Sequence, residues 1–236
     1  MVSYPFPEIP DREITVDNHF MMQDYGAYTQ LKVTPIEMLD IIAGLRYDYN
    51  SIFGDVLNPR LGLVFEPIPG LISKFFYGQA YLEPTARILY GGWQGSLSNV
   101  DLKPERIRTF EGTVAFSKGN FSNSINVFYN QGYDVIAGAE NIGKRKMIGF
   151  EYAGKVLLNS PLSFIHKFKA DWYLSYIDSK ENLDDGQGWN ETGNMAPIKI
   201  KAILTAYVTK DLSVSLQNRW TDEIKTVASN PIEKID

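Results

Sequence analysis

The chain has 236 residues, 44% of them hydrophobic, a formal net charge of −5 and no cysteine. Without cysteine there are no disulfide staples, thiolate metal sites or cysteine nucleophiles, and without a Lys/Arg block the electrostatic footprint of a nucleic-acid binder is missing. A membrane-spanning helix is excluded as well, because Asp40, Arg46 and Glu66 break the apolar stretches well short of the roughly 18 residues it requires.

From the amino terminus, Met1 to Asp11 carries no basic segment followed by an apolar core, so no secretory signal is expected there. Beyond it, period two dominates. Between Asp40 and Asp48, Ile41, Ala43, Leu45 and Tyr47 share one face while Asp40, Gly44, Arg46 and Asp48 share the other with Ile42. From Lys146 to Leu158, Ile148, Phe150, Tyr152, Val156 and Leu158 oppose Gly149, Glu151, Ala153 and Lys155. Phe164, Phe168, Ala170, Trp172, Leu174 and Tyr176 then oppose Lys167, Lys169, Asp171, Tyr173 and Ser175. Finally Ile198, Ile200, Ala202, Leu204, Ala206 and Val208 oppose Lys199, Lys201, Thr205 and Thr209, and Val214, Leu216 and Trp220 oppose Ser213, Ser215, Gln217 and Arg219.

Ten strands are expected, at about 24–33, 38–49, 58–66, 73–83, 104–117, 121–135, 144–158, 163–178, 196–209 and 212–223. The connections between them alternate. Short turns fall at Thr34–Glu37, Pro67–Ile72, Lys118–Asn120, Asn159–Leu162 and Lys210–Asp211, and long loops at Asn50–Leu57, Pro84–Leu102, Ile136–Gly143 and Ser179–Met195. An up-and-down membrane barrel produces this alternation, with short periplasmic turns and long extracellular loops, whereas a Greek-key sandwich has no reason to. Aromatics on the apolar faces gather near both ends: Phe65, Phe116 and Phe164 by short turns, and Tyr47, Phe110, Tyr129, Tyr176 and Trp220 toward long loops. The expected fold is therefore all-β, an antiparallel up-and-down transmembrane β-barrel segment that forms an open curved sheet, with Ile148, Phe150, Trp172, Leu204 and Leu216 on its outward face.

The order of several short motifs carries a resemblance. Asn58-Pro-Arg-Leu-Gly-Leu-Val-Phe-Glu66, then Phe76-Tyr-Gly-Gln-Ala-Tyr-Leu-Glu-Pro84, then Asn99-Val-Asp-Leu-Lys-Pro-Glu105 resemble the barrel of TonB-dependent outer-membrane receptors. Thr109-Phe-Glu-Gly112, Asn141-Ile-Gly143 with Gly149-Phe-Glu151, and Ala196-Pro197 are similar to that family in order and spacing. The resemblance runs from about Tyr25 to Trp220. It implies an internal piece, residues 1–236, of a barrel of about 22 strands in a Gram-negative outer membrane, with the signal peptide, plug domain and last strands lying elsewhere. It also implies a receptor for energised uptake of an iron-siderophore, cobalamin or glycan, with outer-membrane lipid and the TonB complex as partners. A passive porin-like or structural barrel is the alternative.

No catalytic constellation is present: Gly-x-Ser-x-Gly, His-Glu-x-x-His and phosphate-loop patterns are all missing, and His19 and His166 are the only imidazoles. Neither a cofactor nor a metal is expected, since Asp178, Glu181, Asp184 and Asp185 lack the ligand spacing of a calcium loop. Candidate ligand-binding residues are Arg87, Tyr90 and Trp93 in one long loop and Trp189 in another, aromatic and guanidinium groups suited to chelates or sugars. Glu111, Glu151 and Arg60 face the lumen by parity. Arg106 and Arg108 share the outward face of Phe110 and Val114, which places them at the extracellular membrane boundary, within reach of lipopolysaccharide phosphates.

Overall fold

The structure, a computed structural model, describes residues 22–90, 99–183, 188–193, 195–226 and 234–235. Four strands open the chain, β1 (Asp24–Ile36), β2 (Leu39–Asn50), β3 (Gly54–Ile68) and β4 (Leu71–Leu82), followed by one helical turn, α1 (Ala86–Tyr90). Next come β5 (Glu105–Lys118), β6 (Phe121–Ala137), β7 (Glu140–Asn159) and β8 (Lys167–Asn182), then the short β9 (Asn190–Glu191). β10 (Ile198–Tyr207) and β11 (Ser213–Thr221) complete the main sheet, and β12 (Ile224–Lys225) pairs with β13 (Lys234–Ile235) separately. Every pairing is antiparallel and between sequence neighbours, save that β8 passes to β10 while β9 pairs with the end of β8. Nearest-neighbour order of this kind is the expected up-and-down topology.

Register fixes the two faces, because residues paired across an antiparallel ladder point the same way. One row runs Ala43, Leu61, Tyr77, Phe110, Tyr129 and Ile148 from β2 to β7. Another runs Phe150, Tyr176 and Ile198, and a third Trp172, Ala202 and Asn218. These belong to one apolar face that crosses the whole sheet. The opposite face carries Thr113, Asn126, Glu151, Ser175 and Lys199 in one continuous row. Ile148, Leu204 and Leu216 on the apolar face are 54%, 57% and 71% exposed, so no second sheet among the described residues covers them, as one would in a sandwich. An outward face this apolar and this exposed is what an up-and-down membrane barrel presents to its surroundings.

The buried apolar side chains Val56, Leu89, Leu102, Val135 and Ala196 all lie toward the long-loop end, where loops fold over strand tips. Strand length explains why the tips need covering. At 20 residues β7 is about twice the length that a bilayer crossing of about 9–11 residues needs, which leaves half of it to pack beyond one crossing.

Loop alternation is weaker than expected. β2 and β3 are joined by residues 51–53 and β6 and β7 by residues 138–139, so the predicted long loops at 50–57 and 136–143 are mostly strand. Gly54 (φ 79°) and Gly138 (φ 70°) take the left-handed backbone these tight reversals need, and the polar residues around them pair across the extended hairpins. Long connections remain between β4 and β5 and between β8 and β10. β8 starts at Lys167, so Phe164 belongs to the preceding turn. Pro59 lies inside β3 at a point where β4 has not yet begun to pair, so its missing donor costs no ladder bond on that side.

Candidate functional site

The long-loop end is organised by residues 99–105, which strap the β4–β5 connection onto the tip of the β6–β7 hairpin. Lys103 N donates to Asn141 Oδ1 (2.8 Å), while Asn141 Nδ2 donates to the carbonyls of Lys103 and Asp134 (2.8 Å each). Asn99 Nδ2 donates to the Ala139 carbonyl (2.9 Å), and Ile136 N donates to Glu105 Oε1 (2.7 Å). Leu102 and Pro104 are buried beneath, and Asp134 holds a positive φ of 56° in the irregular stretch of β6. At Gly143 a Cβ would meet the Val135 backbone oxygen at 2.8 Å, so only glycine lets the hairpin close this tightly. Two motifs forty residues apart therefore meet as one clasp.

Beside the clasp, facing the lumen, is a hollow of about 550 Å³ lined by Leu82, Ile107, Val135, Met147, Thr192 and Met195, with Glu105 and Arg145 at its edge. Ser179 Oγ donates to Thr192 Oγ1 (3.2 Å) and Thr192 N to the Ser179 carbonyl (3.0 Å), which lays residues 190–192 against β8. Arg145 pairs with Glu181 at 3.0 Å across β7 and β8. The size suits a small ligand. The sequence held a signal for this hollow that parity reading passed over: Ile107 and Met147 are apolar residues at polar-face positions.

Lower on the luminal face a second hollow of about 560 Å³ is lined by Glu151, Tyr173, Ser175, Lys199, Lys201 and Arg219. Lys201 Nζ stands 5.5 Å from the Tyr173 ring centre, and Lys169 pairs with Asp171 at 2.9 Å. Among the described residues Arg60, Glu151, Lys199 and Arg219 have no ion-pair partner. Nearer β1, Arg46 grips Asp48 through Nε and Nη2 at 2.8–3.0 Å, and Gly26 leaves room for that carboxylate, since a Cβ there would meet Asp48 Oδ1 at 2.8 Å.

The candidate ligand residues divide. Arg87 and Tyr90 are exposed on α1, which is anchored by buried Leu89 and by Asn99 N donating to the Ile88 carbonyl (3.0 Å). Trp189 lies instead under Lys146, whose Nζ is 4.1 Å from its ring centre, and Lys146 shares the apolar face with Ile148. Trp93, like Asp184 and Asp185, lies outside the described residues. Arg60, Glu111 and Glu151 occupy the luminal face, and Arg106 and Arg108 the outward face, as parity required.

A family model described as "TonB dependent receptor-like, beta-barrel" matches residues 3–230. The chain belongs to this family. The TonB-dependent receptors are outer-membrane receptors and transporters of Gram-negative bacteria, and their barrel wall is what the sheet reproduces. Among solved structures, the siderophore receptor PirA of Acinetobacter baumannii matches with a TM-score of 0.70 and 19% identity over 87% of this chain and 34% of that one. A variant of the ferric enterobactin receptor PfeA of Pseudomonas aeruginosa gives 0.67 and 17% over 87% and 33%, and the FrpB iron transporter of Neisseria meningitidis 0.64 and 16% over 86% and 34%. This TonB-dependent receptor chain thus spans about a third of each neighbour's length, and the likeness is one of fold. No curated protein matches it.

Proposed function

We propose that this chain forms part of the barrel wall of an outer-membrane receptor that takes up a scarce nutrient of the iron-siderophore kind, driven by TonB through a plug held in the lumen. Cobalamin and glycans are the other ligand classes for the same design. The observation that carries the reading is the luminal face. It presents Arg60, Glu151, Lys199 and Arg219 without ion-pair partners in the described residues, beneath an apolar hollow at Ile107 and Met147. Fixed charges facing inward below a vestibule suit a folded plug and a transient ligand above it. The structural neighbours named for siderophore and iron transport favour the same class of ligand.

Arg87 and Tyr90 on α1 are proposed as ligand contacts at the rim, with Trp189 as a contributor only if its cover of Lys146 opens. The test is uptake of labelled ferric siderophores by iron-starved cells carrying the full-length receptor, with and without a functional TonB complex. TonB-dependent uptake that falls when Met147 is replaced by Asp is the expected result. Diffusive entry that ignores TonB would establish the porin-like alternative instead.

A further inference from the structure

The outward face near the tips of β5, β6 and β7 is unlike the rest of the apolar face. Arg108 pairs with Gln131 and Gln131 with Lys146, so the two cations stand two strand spacings apart, roughly 10 Å, in one row. Arg106 lies one pleat higher, paired with Tyr133, and Lys180 continues the row beyond Lys146. Carboxylates are few and lie to one side: Asp178 is 3.4 Å from Lys180, and Glu191 is taken by Lys225 at 2.6 Å. Arg106, Arg108 and Lys146 have none among the described residues. The Arg106 Nε is buried without a hydrogen-bond partner, the Arg108 guanidinium stands 4.8 Å over the Tyr133 ring, and Lys146 rests on Trp189. Aromatic cover holds Arg108 and Lys146 against the wall, and no carboxylate among the described residues neutralises the three cations.

Directly below, on the same face, is a hollow of about 510 Å³ whose exposed surface is almost wholly apolar, lined by Phe75, Phe110, Val127, Tyr129, Ile148 and Phe150 around Gly112. The hollow exists because Gly112 has no side chain: a Cβ there would touch only Val127 Cγ2, at 3.5 Å. It begins one to two pleats beneath the cation row, about 7–14 Å at a rise of about 3.4 Å per residue. That is the vertical order of an anionic lipid, phosphate above and acyl chain below.

We propose that this face seats one phosphorylated, acylated glycolipid of the outer leaflet, the lipid A part of lipopolysaccharide, with its phosphates on Arg106, Arg108 and Lys146 and an acyl chain in the hollow over Gly112. Three cations facing outward at the boundary, with no carboxylate partner among the described residues, are unfavourable against hydrocarbon and favourable against a multiply charged head group. A singly charged phospholipid leaves most of that charge unmet, which is why a bis-phosphorylated lipid is assigned. The seat requires the barrel to stand in an outer membrane but not to transport anything, so the uptake assay and the lipid assay fail separately.

The experiment uses the full-length receptor in phosphatidylcholine nanodiscs, titrated with diphosphoryl lipid A, dephosphorylated lipid A and phosphatidylglycerol, and read by native mass spectrometry. Diphosphoryl lipid A is expected to bind at least about tenfold tighter than either other lipid. That preference should be lost in Arg106→Ser/Arg108→Ser/Lys146→Ser and largely kept in Arg106→Lys/Arg108→Lys. Gly112→Leu, which fills the hollow without touching a charge, should weaken lipid A binding while leaving phosphate preference in place. Equal binding of all three lipids by the unaltered receptor, or an undiminished preference in the serine variant, overturns the proposal. If the serine variant fails to insert, unchanged lipid A binding by Gly112→Leu overturns it on its own.

Discussion

Asn141 shows how much one side chain does at the long-loop end. Its amide closes three hydrogen bonds to backbone groups of Lys103 and Asp134, and no water-facing substitute reproduces that fork. Replacing it with Ala hands the exposed Lys103 groups to water and leaves the half-buried Asp134 carbonyl without this partner, at a cost of about 1 kcal/mol. We expect Asn141→Ala in the full-length receptor to raise amide exchange and protease sensitivity across residues 99–104 while the lower halves of β5 and β6 stay protected. Unaltered protection of that strap would show that buried Leu102 and Pro104 hold it alone. The sequence displayed Asn99, Lys103, Glu105 and Asn141 as motif residues, but not as partners. Spacing along a chain says nothing of which loop lies over which hairpin, and the clasp became visible only once register and the bulge at Asp134 were known.

Whole strands were more legible, because alternation is a property of the backbone and needs no partner to be seen. The hairpin tips were not. Gly54 and Gly138 look like loop residues in sequence, and only their positive φ within two- and three-residue reversals explains why β2, β3, β6 and β7 run on past the expected ends. Inside β7, Gly154 has a packing role: a Cβ there would fall 2.3 Å from Trp172 Cε2 and 2.4 Å from Asn123 Oδ1. Gly154→Val should displace the Trp172 ring from its place across β7 and slow folding into bilayers, seen as changed tryptophan emission and a lower folded fraction; native emission would exclude this. A weaker tie joins β9 to β12. The Lys225 ammonium, hydrogen-bonded to Glu191, holds that carboxyl below its ordinary 4.5, and Glu191 in turn holds Lys225 above its ordinary 10.5. The depressed carboxylate contributes fully above 4.5 and loses its contribution as pH falls through its lowered value. The raised ammonium contributes fully below 10.5 and loses it as pH rises past its raised value. Trp189 emission, with Trp189→Phe as the blank, should thus stay flat between about pH 5 and 10 and shift in acid, and Lys225→Met should abolish that shift.

At the scale of the molecule, the sheet is a wall and not a body: among the described residues nothing covers its apolar face, and two strands, β1 and β11, pair on one side only. Both edges show throughout their length as exposed. A closed barrel removes such edges by pairing them, so the 236-residue chain alone should self-associate in plain buffer, and a monodisperse monomer by ultracentrifugation would contradict the membrane assignment. A sharper test separates the two faces inside one strand. Ile125 lies on the apolar face, 51% exposed and in register with Val114 and Tyr152, while its neighbour Ser124 faces the lumen opposite Ala115 and Ala153. Both fall in the part of β6 that crosses the bilayer if the crossing begins near the β5–β6 turn. A lysine at Ile125 must then desolvate against lipid or drag water inward, costing about 2–4 kcal/mol near mid-membrane, whereas a lysine at Ser124 enters a polar lumen at little cost. In the full-length receptor folded into vesicles, Ile125→Lys should lower the urea midpoint and the inserted fraction, with Ser124→Lys close to the unaltered protein. The two positions are adjacent in sequence and share strand and loop distance, and the loss of strand propensity at Ile125, up to about 1 kcal/mol, is smaller than the cost of a lysine facing lipid, so a difference beyond it reports the medium on each side. Equal effects would mean that both faces meet the same medium, and the outward face would no longer be a lipid face.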